Sequence, residues 1–128
     1  MNRTIFVTGC ILGALAVALG AFAAHGLEKL VDTAAIDTFQ TGVRYQMYHA
    51  LVLLILGKLG QLPDTRKRWI FYALLTGILL FSFSIYFLAT NELTSFDFRT
   101  IGFITPVGGV FLMVGWGLLG FGCLRYFD

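Results

Sequence analysis

Four long runs of apolar residues, separated by short polar segments, dominate the pattern along the chain. A helix needs about 20 mostly apolar residues to cross the ~30 Å hydrocarbon core of a bilayer. Lipid offers no partners to backbone N–H and C=O groups, and these runs lack the two-residue alternation of a membrane barrel. The pattern therefore predicts one all-α domain, residues 1–128, which forms an integral membrane four-helix bundle. The predicted spans are residues 4–24, 43–62, 69–89 and 101–124.

The first run has a second interpretation, because an apolar N-terminal stretch also marks a secretory signal. Arg3 precedes it, and Ala21-Phe22-Ala23 resembles a small-residue cleavage site. However, the run is longer than the 7–15 apolar residues that are usual for a signal peptide. We expect it to be retained as the first span.

The segment before the second run predicts a further helical element. Asp32 or Thr33 can cap a helix start. Apolar residues then recur at intervals of three and four, which indicates an amphipathic helix. These residues are Ile36, Phe39, Val43 and Met47. We therefore predict a short amphipathic interfacial helix at the outer surface that runs into span two, with Gly42 at the join.

Composition supports a membrane protein and excludes several other classes. Hydrophobic residues make up 58% of the chain and charged residues only 12%, whereas soluble domains are about 25% charged. These values exclude a disordered tail, a nucleic-acid module and a disulfide scaffold. The net charge of +2 is too small to indicate a polyanionic partner.

The Lys and Arg residues divide unevenly between the two sides of such a protein. The N-terminus, the segment 58–68 and the C-terminus share one side. That side holds Arg3, Lys58, Arg66, Lys67, Arg68 and Arg125, whereas the other side holds Lys29, Arg44 and Arg99. Because cytoplasmic loops carry the excess of Lys and Arg, the distribution predicts a multi-pass cell (inner) membrane protein with N- and C-termini cytoplasmic.

Small residues follow one face of the first and of the fourth predicted span. Close approach of backbones is what holds helices together in lipid, so such stripes are typical of helix-packing surfaces. The stripes contain Gly9, Gly13 and Gly20 in the first span and Gly108, Gly115 and Gly122 in the fourth. The two stripes either face neighbouring helices, including each other, or one of them faces another subunit.

Span two carries a polar cluster at its outer end. At 100° per residue, four of its polar side chains share one helix face, and His25 ends the first span at the same membrane level. The candidate pocket consists of His25, Arg44, Tyr45, Tyr48 and His49. Two interpretations stay open: interfacial anchoring, or a site that binds a ligand or handles protons. Two His residues without Cys or paired carboxylates make a poor metal site, so we expect no metal and no cofactor.

Three separated motifs give the chain a family resemblance over nearly its whole length. They are Gly20-Ala21-Phe22-Ala23-Ala24-His25-Gly26-Leu27, Tyr45-Gln46-Met47-Tyr48-His49-Ala50-Leu51 and Thr105-Pro106-Val107-Gly108-Gly109. They resemble the domain-of-unknown-function family 423, small bacterial inner-membrane proteins related to a eukaryotic small transmembrane-protein family. The resemblance implies four transmembrane helices and supplies no catalytic residue. Members often have Phe-Ser-Gly-Ser in span three, where this chain has Phe81-Ser82-Phe83-Ser84.

These observations lead to two hypotheses about function. No nucleophile has a base partner at a readable spacing, so we expect no enzyme. The leading hypothesis is a small structural or accessory membrane subunit that contacts membrane lipids and forms a homo-oligomer or joins a larger membrane complex, without nucleic acid. The alternative is a small-solute, lipid or proton pathway, or a binding protein, that uses the polar pocket near the outer face.

Overall fold

The structure is a computed structural model that describes residues 2–128, and over these residues the chain is helical. Three short 3-10 turns lie in the connections, at Leu27–Lys29, Asn91–Leu93 and Phe98–Ile101. The all-α fold class and the number of long helices are as the sequence predicts. The long helices are α1 (Arg3–His25), α2 (Thr33–Lys58), α3 (Asp64–Ala89) and α4 (Ile104–Tyr126).

Polar side chains cap the first two helices. The Asn2 side-chain oxygen accepts a hydrogen bond of 3.1 Å from the backbone N–H of Ile5. Asp32, one of the two predicted caps, accepts a bond of 2.8 Å from the N–H of Ala35. Each bond pairs one of the N–H groups that a helix start leaves free. The backbone N–H of Asn2 also donates to the Gly57 carbonyl at 2.8 Å, which ties the start of α1 to the end of α2.

Helix ends differ from the predicted spans where Pro and polar residues intervene. Helix α2 ends at Lys58 and not at residue 62, because the backbone of Leu59 is already extended. Helix α3 begins directly after Pro63, so the basic residues 66–68 lie in its first turns. The regular part of the fourth helix begins at Ile104, and residues 101–103 are 3-10 or turn.

The separate interfacial helix predicted before span two is not what the structure has. Residues 33–42 are the first turns of α2, which continues without interruption through Gly42. The apolar stripe is present, but Phe39 is buried in the protein, and Ile36 and Val43 pack against the same core cluster. The stripe therefore faces neighbouring helices, which explains why these residues extend α2 instead of forming their own helix.

Successive helices pack antiparallel, α1 on α2, α2 on α3 and α3 on α4. Gly9 lies against Leu53 and Gly20 against Val43, so residue numbers rise along α1 as they fall along α2. Helices α2 and α3 are therefore central. We call the end that carries residues 2–3, 58–68 and 125–128 the basic end, and the other the loop end.

The two glycine stripes do not face each other. The stripe on α1 lies on α2, and the stripe on α4 lies on α3 and on Leu62. A Cβ on Gly108 would come within 2.4 Å of the backbone N of Phe81, and a Cβ on Gly115 within 2.4 Å of a Leu74 methyl carbon. These glycines therefore let two backbones approach more closely than any side chain would allow.

Buried side chains form two clusters along the bundle. The larger one includes Leu53, Leu74 and Leu112 and extends to the basic end. The smaller one lies toward the loop end and includes Phe39 and Tyr86. Between them, the middle of α2 contributes buried polar side chains to the core.

Three helical stretches are long and apolar enough to cross a membrane. They are Arg3–Lys29, Asp64–Ala89 and Phe98–Tyr126. Helix α2 is not among them, because Arg44, Gln46 and His49 interrupt its apolar character. Within the most apolar part of α1 and of α4 only 22% of residues are buried, against 44% in α3, so α1 and α4 present most of the outward apolar surface.

Candidate functional site

The residues of the predicted polar pocket lie in more than one place. His25 is the last residue of α1 and is exposed. Arg44 is exposed too, and its side chain makes no hydrogen bond with any residue in the described range 2–128. Tyr45 and Tyr48 remain 40% and 52% exposed, whereas His49 is only 4% exposed. The structure brings Tyr45, Tyr48 and His49 together and leaves His25 and Arg44 apart from them.

Both ring nitrogens of His49 have partners. Nδ1 lies 2.6 Å from the Tyr45 carbonyl oxygen, and Nε2 lies 3.0 Å from the indole nitrogen of Trp116 on α4. A carbonyl can only accept and an indole N–H can only donate. His49 is therefore neutral with its proton on Nδ1, and neither nitrogen is free for a ligand.

Aromatic rings enclose this histidine. The ring of Tyr45 lies nearly parallel to the imidazole, with centroids 6.3 Å apart. The Tyr45 ring also packs against the ring of Phe81 on α3, with centroids 4.9 Å apart. Trp116 approaches the imidazole edge-on at 6.0 Å. Tyr48 packs edge-on against Tyr45 at 5.7 Å. These contacts hold the imidazole in one orientation between α2, α3 and α4.

A second buried polar group, centred on Gln46, joins three helices. Its side-chain nitrogen donates to the Leu12 carbonyl of α1 at 2.8 Å, and its oxygen accepts from the Tyr86 hydroxyl of α3 at 2.7 Å. Gln46 is completely buried. Because buried polar groups are costly without partners, this arrangement stabilises one relative position of α1, α2 and α3.

Hydroxyl groups on α3 make further bonds between helices. Ser82 donates to the Gly42 carbonyl of α2 at 2.8 Å, and Ser84 lies 2.6 Å from the Thr105 hydroxyl of α4. Ser82 therefore links α3 to α2, and Ser84 links α3 to α4. Phe83 is partly buried against the smaller cluster, 5.7 Å from the Tyr86 ring. The bulky side chain at this position is thus accommodated between the two serines.

The buried polar atoms of the described residues all have hydrogen-bond partners. Over the same residues, no three His, Cys, Asp or Glu side chains come close enough together to hold a metal ion. The hydroxyls of Ser82 and Ser84 bond to a carbonyl and to another hydroxyl, and not to a His. The buried polar side chains can therefore join neighbouring helices through hydrogen bonds between neutral groups.

A polar cavity lies at the loop end, where α2, α3 and the connection before α4 meet. Its volume is about 340 Å³. Apolar residues of α2 and α3 form part of its wall, and Glu92 and Arg99 bring opposite charges to it. The polar lining residues are Thr38, Asn91, Glu92 and Arg99.

An ion pair organises the connection before α4. Asp97 lies 3.0 Å from the Arg99 side chain and also accepts from the Arg99 backbone N–H and from Asn91. Hydrogen bonds from the Arg99 side chain and backbone hold the pKa of Asp97 below its usual range. The Asn91 side-chain oxygen in turn accepts from the N–H of Phe98 at 2.7 Å. This connection therefore has its own set of polar contacts outside the bundle.

The sequence pattern did not single out Gln46, Ser82, Tyr86 or Trp116 as one arrangement. A weak signal existed, because Ser82 and Tyr86 are four residues apart and so share a face of α3. Gln46 lies four residues from Gly42, and both form hydrogen bonds with that face of α3. A single sequence does not show which face of α2 packs against Ser82 and Tyr86 of α3.

Comparison with known proteins finds similar sequences over nearly the full length of small membrane proteins. The profile described as "Protein of unknown function (DUF423)" matches residues 19–109. The UPF0382 membrane protein of Haemophilus influenzae is 40% identical over 126 residues, which cover 98% of this chain and 97% of the relative. No solved structure shows significant similarity.

Two further relatives come from other bacteria. The UPF0382 inner membrane protein YgdD of Escherichia coli strain K12 is 37% identical over 127 residues, 97% of this chain and 92% of the relative. The UPF0382 membrane protein YwdK of Bacillus subtilis strain 168 is 36% identical over 129 aligned positions, 97% of this chain and 98% of the relative. The similarity therefore covers nearly the whole chain in each pair.

Proposed function

Because the chain belongs to the DUF423 family of membrane proteins of unknown function, we propose that it is a small non-enzymatic subunit of the inner membrane. In this proposal it crosses the membrane four times, keeps both termini in the cytoplasm, and acts as a structural or accessory protein that associates with further copies of itself. The supporting observation is that the buried side-chain polar atoms of the described residues all have hydrogen-bond partners, while the outward faces are apolar.

The proposal of four crossings is supported by how α2 is packed. Helices α1 and α3 are each apolar enough to span, and α2 lies antiparallel against both. Its contacts run from Leu53 beside Gly9 to Gly42 beside Tyr86, so α2 occupies the same depth as its neighbours. Its least apolar residues, Gln46 and His49, are the ones the protein buries. This shielding removes the cost that would otherwise keep them out of the hydrocarbon.

The distribution of cations supports the orientation. All cationic side chains except Lys29, Arg44 and Arg99 lie at the basic end. Trp69 and Tyr72 are 63% and 51% exposed close to that end, where aromatic rings anchor spans at the interface. The positive-inside rule then assigns the basic end to the cytoplasm.

Reporter fusions test the topology. A reporter that is active only outside the cytoplasm, fused after Asp128, is expected to stay inactive, whereas insertions after Leu30 and after Ser95 are expected to be active. Fusion within the segment Gly60–Gln61 should again be inactive. An active reporter at Asp128 would overturn the cytoplasmic placement of the C-terminus, and equal activity on the two sides of α2 would overturn its crossing.

Self-association is supported by an outward face of α1 that carries small residues. Ala14, Ala18 and Ala21 are exposed and point away from α2, because each is about 120–180° around the helix from Gly9, which lies on α2. Small residues on a lipid-facing surface allow close approach of a second helix. The glycines of the α1 stripe are already occupied by α2, so a partner copy is expected to use this opposite face.

Cysteine cross-linking tests the subunit contact in native membranes. Both native cysteines, Cys10 and Cys123, are free and are first replaced by Ala. Ala14→Cys is then expected to form disulfide-linked dimers on mild oxidation. Leu124→Cys, 87% exposed on α4, is the matched control and is expected to remain monomeric. Equal cross-linking at both positions, or none at Ala14→Cys, would contradict this interface.

The alternative function is a binding protein or pathway for a small solute, a lipid or protons. What favours it is the polar cavity of about 340 Å³ at the loop end, with Glu92 and Arg99 in its wall. Glu92→Gln and Arg99→Lys can be assayed for solute or proton flux in reconstituted vesicles. Flux by the parent protein that either substitution changes would support the pathway. Absence of flux through the parent protein would exclude the pathway and favour the structural or accessory subunit.

A further inference from the structure

The outer surface between α3 and α4 contains a long apolar groove near the basic end. Two adjoining cavities form it, of about 300 and about 250 Å³, and both are lined by Trp69 and Leu118. From Arg66 to Thr76 the groove follows α3 for ten residues, which is about 15 Å at 1.5 Å per residue. That length is about half of the ~30 Å hydrocarbon core, so the groove covers one leaflet.

Cationic groups converge at the basic end of this groove. Arg66 lines the groove itself, and Arg125 lies in the last turn of α4 at the same end of the bundle. The Arg125 guanidinium carbon is 5.8 Å from the centre of the Tyr126 ring. A guanidinium presents a fork of N–H donors that matches the oxygens of a phosphate.

No carboxylate neutralises these arginines within the part of the chain that the structure describes. The acidic residues closest in sequence are Asp64 and Asp128, and neither comes within 4 Å of a Lys or Arg nitrogen. The salt bridge of the described chain lies at the loop end, between Asp97 and Arg99. Within the described residues, the guanidinium groups of Arg66 and Arg125 therefore have no carboxylate partner and can accept a phosphate.

We propose that the α3–α4 groove binds one anionic phospholipid, with an acyl chain along Trp69 and Leu118 and the phosphate on Arg66, Arg125 and the Tyr126 hydroxyl. Basic sites between helices on the cytoplasmic side are suited to anionic headgroups, and the apolar wall adds contact area for the chain. The assignment to the cytoplasmic leaflet rests on the topology proposed above. The binding itself does not, since a nanodisc offers both leaflets.

Lipid retention in nanodiscs tests the proposal. The full-length protein is reconstituted in phosphatidylcholine with a minor fraction of phosphatidylglycerol, and native mass spectrometry counts the lipids that stay bound. The parent protein is expected to retain phosphatidylglycerol in preference to phosphatidylcholine. Loss of two guanidinium–phosphate contacts in Arg66→Gln/Arg125→Gln is expected to lower this retention at least about tenfold.

Three further variants separate the site from general effects. Lys29→Gln/Arg44→Gln removes the same charge at the loop end and is expected to retain the lipid as the parent does. Arg66→Lys/Arg125→Lys keeps the charge and is expected to restore much of the retention. Ala73→Leu fills the groove without altering any charge and is expected to weaken it. Helical circular dichroism confirms that each variant is folded.

The outcomes distinguish this site from the topology. Equal retention of the two lipids by the parent protein would overturn the proposal. So would equal retention of phosphatidylglycerol by Arg66→Gln/Arg125→Gln and by the loop-end control. A reporter active at Asp128 with selective retention intact would instead overturn the orientation and leave the lipid site standing.

Discussion

The indole N–H of Trp116 on α4 donates a hydrogen bond of 3.0 Å to Nε2 of His49 on α2. These two helices are not neighbours in the packing order, in which α3 lies between them. The bond therefore joins the first half of the bundle to the last helix. It also fixes His49 in its neutral form, because the other ring nitrogen donates to the Tyr45 carbonyl.

The first prediction is that Trp116→Phe destabilises the bundle. Phe keeps an aromatic ring there but removes the N–H, so Nε2 of His49 loses its donor. Interhelical hydrogen bonds in membranes are worth about 1 kcal/mol, and we expect the free energy of unfolding to fall by about that amount. Unfolding in detergent mixtures of rising dodecyl sulfate content measures it.

The other tryptophan supplies the control for this measurement. Trp69 is 63% exposed and donates no hydrogen bond within residues 2–128, so Trp69→Phe is expected to leave the unfolding free energy nearly unchanged. In a double-mutant cycle with His49→Phe, the two changes at the contact should be non-additive. Additive effects of Trp116→Phe and His49→Phe would show that the bond contributes nothing.

The second prediction concerns the close approach of α4 to α3. A Cβ on Gly108 would meet the Phe81 backbone N at 2.4 Å, and backbone cannot move aside as a side chain can. Gly108→Ala is therefore expected to lower the unfolding free energy by about 1–3 kcal/mol. Gly115→Ala meets the flexible end of Leu74, and we expect a smaller loss. The same dodecyl sulfate titration measures both.

Gly117 offers a matched substitution on the same helix. A Cβ there would meet no atom within 4 Å, and Ala is favoured over Gly in a helix by about 1 kcal/mol. Gly117→Ala is thus expected to be neutral or slightly stabilising. If all three glycine variants behaved alike, helix propensity and not packing would decide the result.

The sequence predicts the helices well because their cause is local. Apolar run length determines where the helices lie, and helix α1 differs from its predicted span by one residue at each end. Helix α2 begins ten residues before its predicted span, because the amphipathic stripe is part of it. Which neighbour each helix face contacts depends on residues that are distant in the sequence. The stripe at Ile36 and Phe39 is amphipathic whether it faces lipid or protein, so its place inside α2 could not be read from spacing.

The same reason limits what could be predicted of the candidate site. His49 was identified from its position on α2, but its partner Trp116 lies 67 residues away in the chain. The predicted common level is wrong, because Gly13 of α1 lies beside Ala50 of α2 and Gly20 beside Val43, so His25 lies nearer the loop end than His49. Membrane depth can be estimated from residue number at 1.5 Å per residue. The direction that a side chain faces depends on helix packing, which requires the structure.

The third prediction concerns the buried bond between Gln46 and Tyr86. Tyr86→Phe removes the donor to the Gln46 side-chain oxygen, 2.7 Å away, and leaves that oxygen buried without its partner. We expect a loss of about 1–2 kcal/mol in unfolding free energy. Gln46→Leu is expected to cost a similar amount, because the Tyr86 hydroxyl then has no acceptor.

Combining the two substitutions separates the bond from the packing. In Gln46→Leu/Tyr86→Phe neither side chain is left with an unpaired polar atom, so the double variant is expected to be less destabilised than the sum of the two single variants. The measurement is again unfolding in mixed detergent. A double variant that loses the full sum would mean that the two groups act independently.

The fourth prediction concerns pH and the connection before α4. The Arg99 side chain lowers the pKa of Asp97, so the ion pair stabilises the folded connection above the carboxyl's unfolded pKa of about 3.9. This contribution is lost as the pH falls through the lower folded pKa. Between pH 5 and 8 the pair should therefore contribute a constant amount, with loss confined to more acidic solution.

Nuclear magnetic resonance of the Asp side-chain carboxyl carbons in micelles measures this directly, with Asp97→Asn used to assign the signal. Arg99→Gln removes the guanidinium and is expected to raise the pKa of Asp97 toward its ordinary value. Lys29→Gln removes a cation from the same end of the protein that makes no bond to Asp97 and should leave the pKa unchanged. Equal shifts in the two variants would mean that the general charge of the loop end, and not the contact with Arg99, lowers the pKa.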